Sequence, residues 1–131
     1  MIAVVAAAIV TDGRLLVVSK KAAPDVFYLP GGKPEPGESP ARTLARELQE
    51  ELGVAPVRAE LLGLVEDVAA LEGVPMRMTV FTADIDGIPK PAAELAALGW
   101  TDGIDDYVPL LAPAVRNHVV PLLQRNGRLP K

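Results

Sequence analysis

The chain has no cysteine, a single histidine, few aromatic residues and no surplus of positive charge. Without cysteine there is neither a disulfide framework nor a thiolate metal site. Thirteen basic residues stand against 17 acidic ones, and the formal net charge is −4. That balance argues against a nucleic-acid polymer or an anionic membrane surface as partner. Long hydrophobic runs are missing too. The opening stretch 1–10 is apolar, but a membrane span needs about 20 such residues. No basic residue precedes it, and Thr11-Asp12-Gly13-Arg14 turns the chain. It therefore reads as a buried strand, not a signal peptide or membrane span. A cytoplasmic protein without membrane association is expected.

What is present describes one domain over 1–131. The chain is 131 residues long and 50% hydrophobic, enough for a proper core. There is no internal repeat, low-complexity tract or linker, and the Pro-rich Ile88–Ala92 stretch reads as a loop. Residues 2–10 and 14–18 read as strands joined at Asp12-Gly13, a hairpin signal. Phe27-Tyr28-Leu29 is a short extended piece entering Pro30-Gly31-Gly32. Further strands are expected over 57–66, 76–85 and 98–101, with a loop around Glu72-Gly73. A closing helix is expected over 112–125, proline included. Strands around a central helix, with a second helix at the end, make an α/β domain.

The central helix is expected over 40–52. Ser39 suits its N-cap, Pro40 its first position and Gly53 the residue just past its end. At about 100° per residue, Glu51 lies about +40° and Glu50 about −60° from Glu47, so three carboxylates share one arc. Leu44, Leu48 and Leu52 form the adjacent apolar stripe, which faces the core. The acids stand at the wrong end for stability. Carboxylates in the last turn oppose the helix dipole, and like charges three or four apart each cost about 0.2–0.5 kcal/mol. Arg42 and Arg46 offset part of this. A hard cation such as Mg2+ or Mn2+, which takes oxygen ligands, would remove the rest. The plain alternative is an ordinary glutamate-rich helix.

The loop before the helix extends the pattern. Gly32-Lys33-Pro34-Glu35-Pro36-Gly37-Glu38 is followed, after seven residues, by Arg46-Glu47-Leu48-Gln49-Glu50-Glu51-Leu52-Gly53-Val54. The spacing G-x5-E-x7-R-E-U-x-E-E-x-G-U, with U a bulky aliphatic residue, resembles the signature of Nudix hydrolases, and every fixed position is filled. The resemblance implies a Nudix α/β/α sandwich with a mixed sheet. It also implies a pyrophosphohydrolase cleaving a nucleoside diphosphate linked to X, with Mg2+ or Mn2+ as cofactor.

Carried over position by position, the resemblance makes Glu47, Glu50 and Glu51 metal ligands, joined by the carbonyl of Gly32. Arg46 orients them, and Glu38 supports the loop or a further ion. Glu50 or Glu51 is the first choice as proton acceptor, with Glu94 a candidate from outside the motif, or else a solvated residue in a helical turn. Lys33, Lys20, Lys21, Arg77 and Tyr28 are the candidate substrate contacts, and Arg77 is either cleft-facing or on the outer face. Phe27 and Trp100 read as core, and His118 as a surface or helix-end residue. Oxidised-guanine hydrolases carry a base-reading asparagine near the start of the last helix, where Val115 stands here with Asn117 two residues on, a departure from that specificity. Nor is there a proline some fifteen residues past the motif, the mark of ADP-ribose hydrolases. The leading expectation is hydrolysis of a (deoxy)nucleoside triphosphate. ADP-ribose, a sugar nucleotide or a dinucleoside polyphosphate is the alternative, and a non-catalytic nucleotide-sensing regulator a remote one. A homodimer is possible through the apolar first strand.

Overall fold

The computed structural model describes residues 1–131. Its first strand, β1 (Ile2–Ala8), alternates side chains between two covered faces. Val5, Ala7 and Ile9 pack with the central helix, whereas Ala6 and Ala8 pack with the closing helix. At Ile9 the chain changes sheets. The Ile9 carbonyl accepts from the Leu16 N–H at 2.9 Å, and β2 (Val10–Thr11) then pairs antiparallel with β3 (Arg14–Lys20). Asp12 and Gly13 both have positive φ, 53° and 73°, as a two-residue hairpin turn requires. The expected strand over 2–10 is thus two strands in different sheets.

Five more strands follow in sequence. They are β4 (Ala23–Tyr28), β5 (Gly31–Gly32), β6 (Pro56–Val68), β7 (Pro75–Ile85) and β8 (Leu95–Thr101). One sheet is mixed, in the order β5-β1-β7-β6, with β1 parallel to β7 and the other pairs antiparallel. The other is antiparallel: β3 pairs with β8 along one edge and with β2 and β4 along the other. β1 pairs along its length with β7 on one side and, on the other, with β5 at Val5 and Ala6.

Helices cover both faces. α1 (Pro40–Leu52) keeps the expected bounds: Ser39 Oγ accepts from the Arg42 N–H at 3.2 Å, and Gly53 is left-handed at φ 68°. Leu44, Leu48 and Leu52 are fully buried against Val5, Ala7, Leu16 and Val18. The closing helix departs from the expected regular form. Val115–Val119 is wound as a wide π turn, with the Val120 N–H reaching back to the Val115 carbonyl, and α2 (Val120–Arg125) follows. Pro121 has no N–H to donate to the preceding turn, and a proline there disrupts regular α hydrogen bonding. No helix is long and apolar enough to cross a membrane.

Leu48 is fully buried at the centre of the layer that seats α1. Leu48→Ala is expected to lower unfolding free energy by about 2–5 kcal/mol in urea titrations.

Candidate active site

Two consecutive glycines bring the loop onto the helix. β5 pairs with β1 at Val5–Gly32 and Ala6–Gly31. A Cβ at Gly31 would collide with the Val5 carbonyl oxygen, and one at Gly32 with the Glu47 carboxylate. At Gly31 the obstacle is backbone, so only glycine permits the approach; at Gly32 a larger residue would displace the Glu47 carboxylate. The Gly31 N–H donates to Glu51 Oε1 at 3.0 Å, which anchors a carboxylate only 3% exposed.

Arg46 ties the rest together. Its Nε and Nη2 donate to the two oxygens of Glu38, each at 2.8 Å, and Nη2 also reaches the Lys33 carbonyl at 3.1 Å. Nη1 donates to Glu47 at 2.9 Å and stands 3.5 Å from Glu50. Glu38 also accepts from Thr43 Oγ1 at 2.8 Å and from the Glu35 N–H at 3.0 Å. Arg46 above all, with the Glu35 N–H, holds the Glu38 carboxyl down at about 2. Glu38 therefore stands bonded between loop and helix, in keeping with the first of its two expected roles. The buried Thr43 and the Glu35 side chain, 3.4 Å from Arg46, join this network with no signal in the motif.

A cleft of about 350 Å3 opens beside this face. Its apolar wall includes Ile2, Val4, Leu29, Met76, Met78 and Val115, and Tyr28, Lys20, Lys33, Glu47 and Glu94 also line it. Glu94 pairs with Lys20 at 3.4 Å and lies in the turn before β8, not in a helical turn. Lys33 is 3.8 Å from Glu72 at the tip of the β6–β7 hairpin, a neighbour that lies too far away in sequence to be foreseen. Strand alternation sends Met76 and Met78 into the cleft and Arg77 to the opposite face, where it pairs with Glu66 at 3.2 Å. Arg77 is thereby removed from the cleft. Lys21 is exposed and does not line it. Phe27 is core, edge-on to Tyr107, and His118 pairs with Asp67 at 3.2 Å.

A model of the NUDIX domain matches residues 1–123. The chain belongs to the NUDIX family. A MutT NUDIX hydrolase from Burkholderia pseudomallei is 34% identical, with a TM-score of 0.71 over 93% of this chain and 95% of that one. The ORF135 protein of Escherichia coli is 32% identical, with a TM-score of 0.73 over 100% and 95%. A CTP pyrophosphohydrolase of Escherichia coli (strain K12) is 47% identical over 57 residues, which is 41% of this chain and 42% of that protein. A provisionally named 8-oxo-dGTP diphosphatase 2 of Mycobacterium tuberculosis is 34% identical over 113 residues, 81% of this chain and 79% of that protein. The match thus spans less than half of the CTP enzyme and over three-quarters of the mycobacterial relative.

NUDIX hydrolases generally use divalent metal ions. The donors on this face are carboxylate and carbonyl oxygens, the chemistry a hard divalent cation takes. Burial raises the Glu47 carboxyl above the ordinary range, against the pull of Arg46. One guanidinium does not offset the burial of Glu47, and in that respect the NUDIX motif of this chain fits a cation. It is not a preformed cage. No three acidic side chains converge closely enough to enclose an ion as they stand, because Arg46 holds Glu47 and Glu50 while Gly31 holds Glu51.

Burial also lifts Glu51 from 4.5 to about 7; the Gly31 N–H opposes that shift, and Glu47 and Glu94 add repulsion. The folded NUDIX domain therefore binds this proton more tightly than the unfolded chain. Glu51 contributes stability below about 4.5 that is lost as pH rises to about 7. Without divalent cations, Glu51→Gln is expected to leave the melting temperature near wild type at about pH 5 and raise it at about pH 8. Thermal unfolding across that range checks the sign, with a difference of at most about 3 kcal/mol.

Proposed function

We propose that this NUDIX protein hydrolyses (deoxy)nucleoside triphosphates to the nucleoside monophosphate and pyrophosphate, by attack of water on phosphorus. The observation that carries the reading is the junction of two unlike surfaces. A face bearing Glu47, Glu50 and Glu51 meets an apolar cleft of about 350 Å3 with Lys20 and Lys33 among its lining. The cleft is of a size for a small-molecule ligand, and its lysines suit an anionic one. The names of the CTP and 8-oxo-dGTP relatives support the same class.

In this reading Glu47, Glu50 and Glu51, with the Gly32 carbonyl, hold Mg2+ or Mn2+. The bound cation supplies charge neutralisation at the phosphates and a lower pKa for the attacking water. Lys33, Lys20 and Tyr28 contact the nucleotide. Arg46 aligns Glu47 and Glu50, and Glu50 or Glu51 accepts the proton of the attacking water, with Glu94, which lines the cleft, the candidate from outside the motif. The setting is cytoplasmic, where nucleoside triphosphates are held, and a homodimer is compatible with it.

The test is product analysis by mass spectrometry with Mg2+ or Mn2+. The panel holds canonical and oxidised nucleoside triphosphates, ADP-ribose, sugar nucleotides and dinucleoside polyphosphates. Triphosphate turnover is expected, falling by about a thousandfold or more in Glu50→Gln. Preferred cleavage of ADP-ribose or another diphosphate would replace the triphosphate reading. Nucleotide binding without turnover in either protein would leave a regulator.

A further inference from the structure

The last carbonyls of an α-helix have no donors within the helix. At the end of α1 these places are taken by the segment that returns from β7. Leu52 O accepts from the Lys90 N–H at 3.1 Å and Glu51 O from the Ala92 N–H at 2.9 Å. The turn is then closed by the Leu95 N–H on Ala92 O at 3.1 Å, and held to β3 by the Lys21 N–H on Glu94 O at 2.9 Å. Between these bonds Ala93 has a φ of 55°. A side chain with a Cβ avoids this region, and the first central position of such a turn favours glycine. The other non-glycine residue with positive φ, Asp12, belongs to a hairpin turn that requires it. A strained backbone persists only where its surroundings over-determine it, and here four hydrogen bonds do so.

The next residue is Glu94. Its side chain lines the cleft and pairs with Lys20 at 3.4 Å. Glu47 lines the same cleft. We propose that Ala93 is a positioning residue, whose left-handed backbone, fastened to the end of α1, holds Glu94 in the cleft that Glu47 of that helix also lines. The helix that carries Glu47, Glu50 and Glu51 thus also sets where Glu94 stands. This rests on reading the acidic face as the hydrolytic centre.

Ala93 is exposed, so a larger side chain there meets no core and its effect is conformational. The test compares Ala93→Gly, Ala93→Val, Glu94→Gln and the double variant Ala93→Val/Glu94→Gln. Glycine takes a positive φ freely, so Ala93→Gly is expected to keep kcat within about twofold and not lower the melting temperature. Valine resists that φ, so Ala93→Val is expected to lower kcat about tenfold with KM little changed. Glu94→Gln is expected to lower kcat by at least as much, and to add little in the Ala93→Val background.

Amide hydrogen exchange gives a readout independent of activity. The Lys21 N–H, bonded to Glu94 O, is expected to stay protected in Ala93→Gly and to lose protection in Ala93→Val. Wild-type kcat or retained Lys21 protection in Ala93→Val would overturn the proposal, as would losses that simply multiply. An unaffected Glu94→Gln enzyme would overturn it too, while the hydrolase reading stands. A wild-type protein that turns over no nucleotide removes that reading instead, and the exchange data still decide whether Ala93 holds the turn.

Discussion

The guanidinium of Arg46 lies within 3.5 Å of Glu35, Glu38, Glu47 and Glu50, and much of the acidic face depends on it. A helix whose last turn carries Glu47, Glu50 and Glu51 opposes its own dipole and repels itself. One delocalised cation with a rigid fork of donors answers several of these charges at once, which a lysine point charge cannot do. Its second job is mechanical. By bonding both oxygens of Glu38 and the Lys33 carbonyl, it clamps the proline-stiffened loop over the helix. Loop and helix therefore act as one piece, and the carboxylates are held in place before any ligand arrives.

Glu51 belongs to a different balance. It is buried, it faces Gly31 rather than Arg46, and its charge is disfavoured by its surroundings. An apolar neighbour there would favour folding. A carboxylate kept at that cost is the kind of strain that concentrates at sites of chemistry. Ala93 adds a second instance on the opposite wall, where backbone conformation is strained instead of charge. Both are tied to the same place, since the Glu51 carboxylate accepts from Gly31 and the Glu51 carbonyl accepts from Ala92. The end of α1 is the point at which the glycine loop, the helix and the turn before β8 meet.

The bounds of α1, its caps, its apolar stripe and its acidic arc were all legible in the sequence, because each depends on residues within a few positions of one another. The Asp12-Gly13 turn was legible for the same reason. The change of sheet at Ile9 was not, since a strand period of two continues unbroken through a residue whose partners change. Nor was the π turn before Pro121, because sequence shows where a proline sits but not how the preceding turn accommodates it.

The distinction extends to the candidate site. Local spacing by itself determined that Glu47, Glu50 and Glu51 share a helical face and that glycines stand where a loop must approach it. Whether Arg77 faces the cleft, which groups Glu38 bonds, and where Glu94 lies are questions about partners. Glu66 takes Arg77, Arg46 takes Glu38, and the end of α1 holds the turn bearing Glu94. Those partners are joined by sheet pairing and by hydrogen bonds between segments distant in the chain. A one-dimensional pattern carries no record of such contacts, so only the tertiary structure decided them.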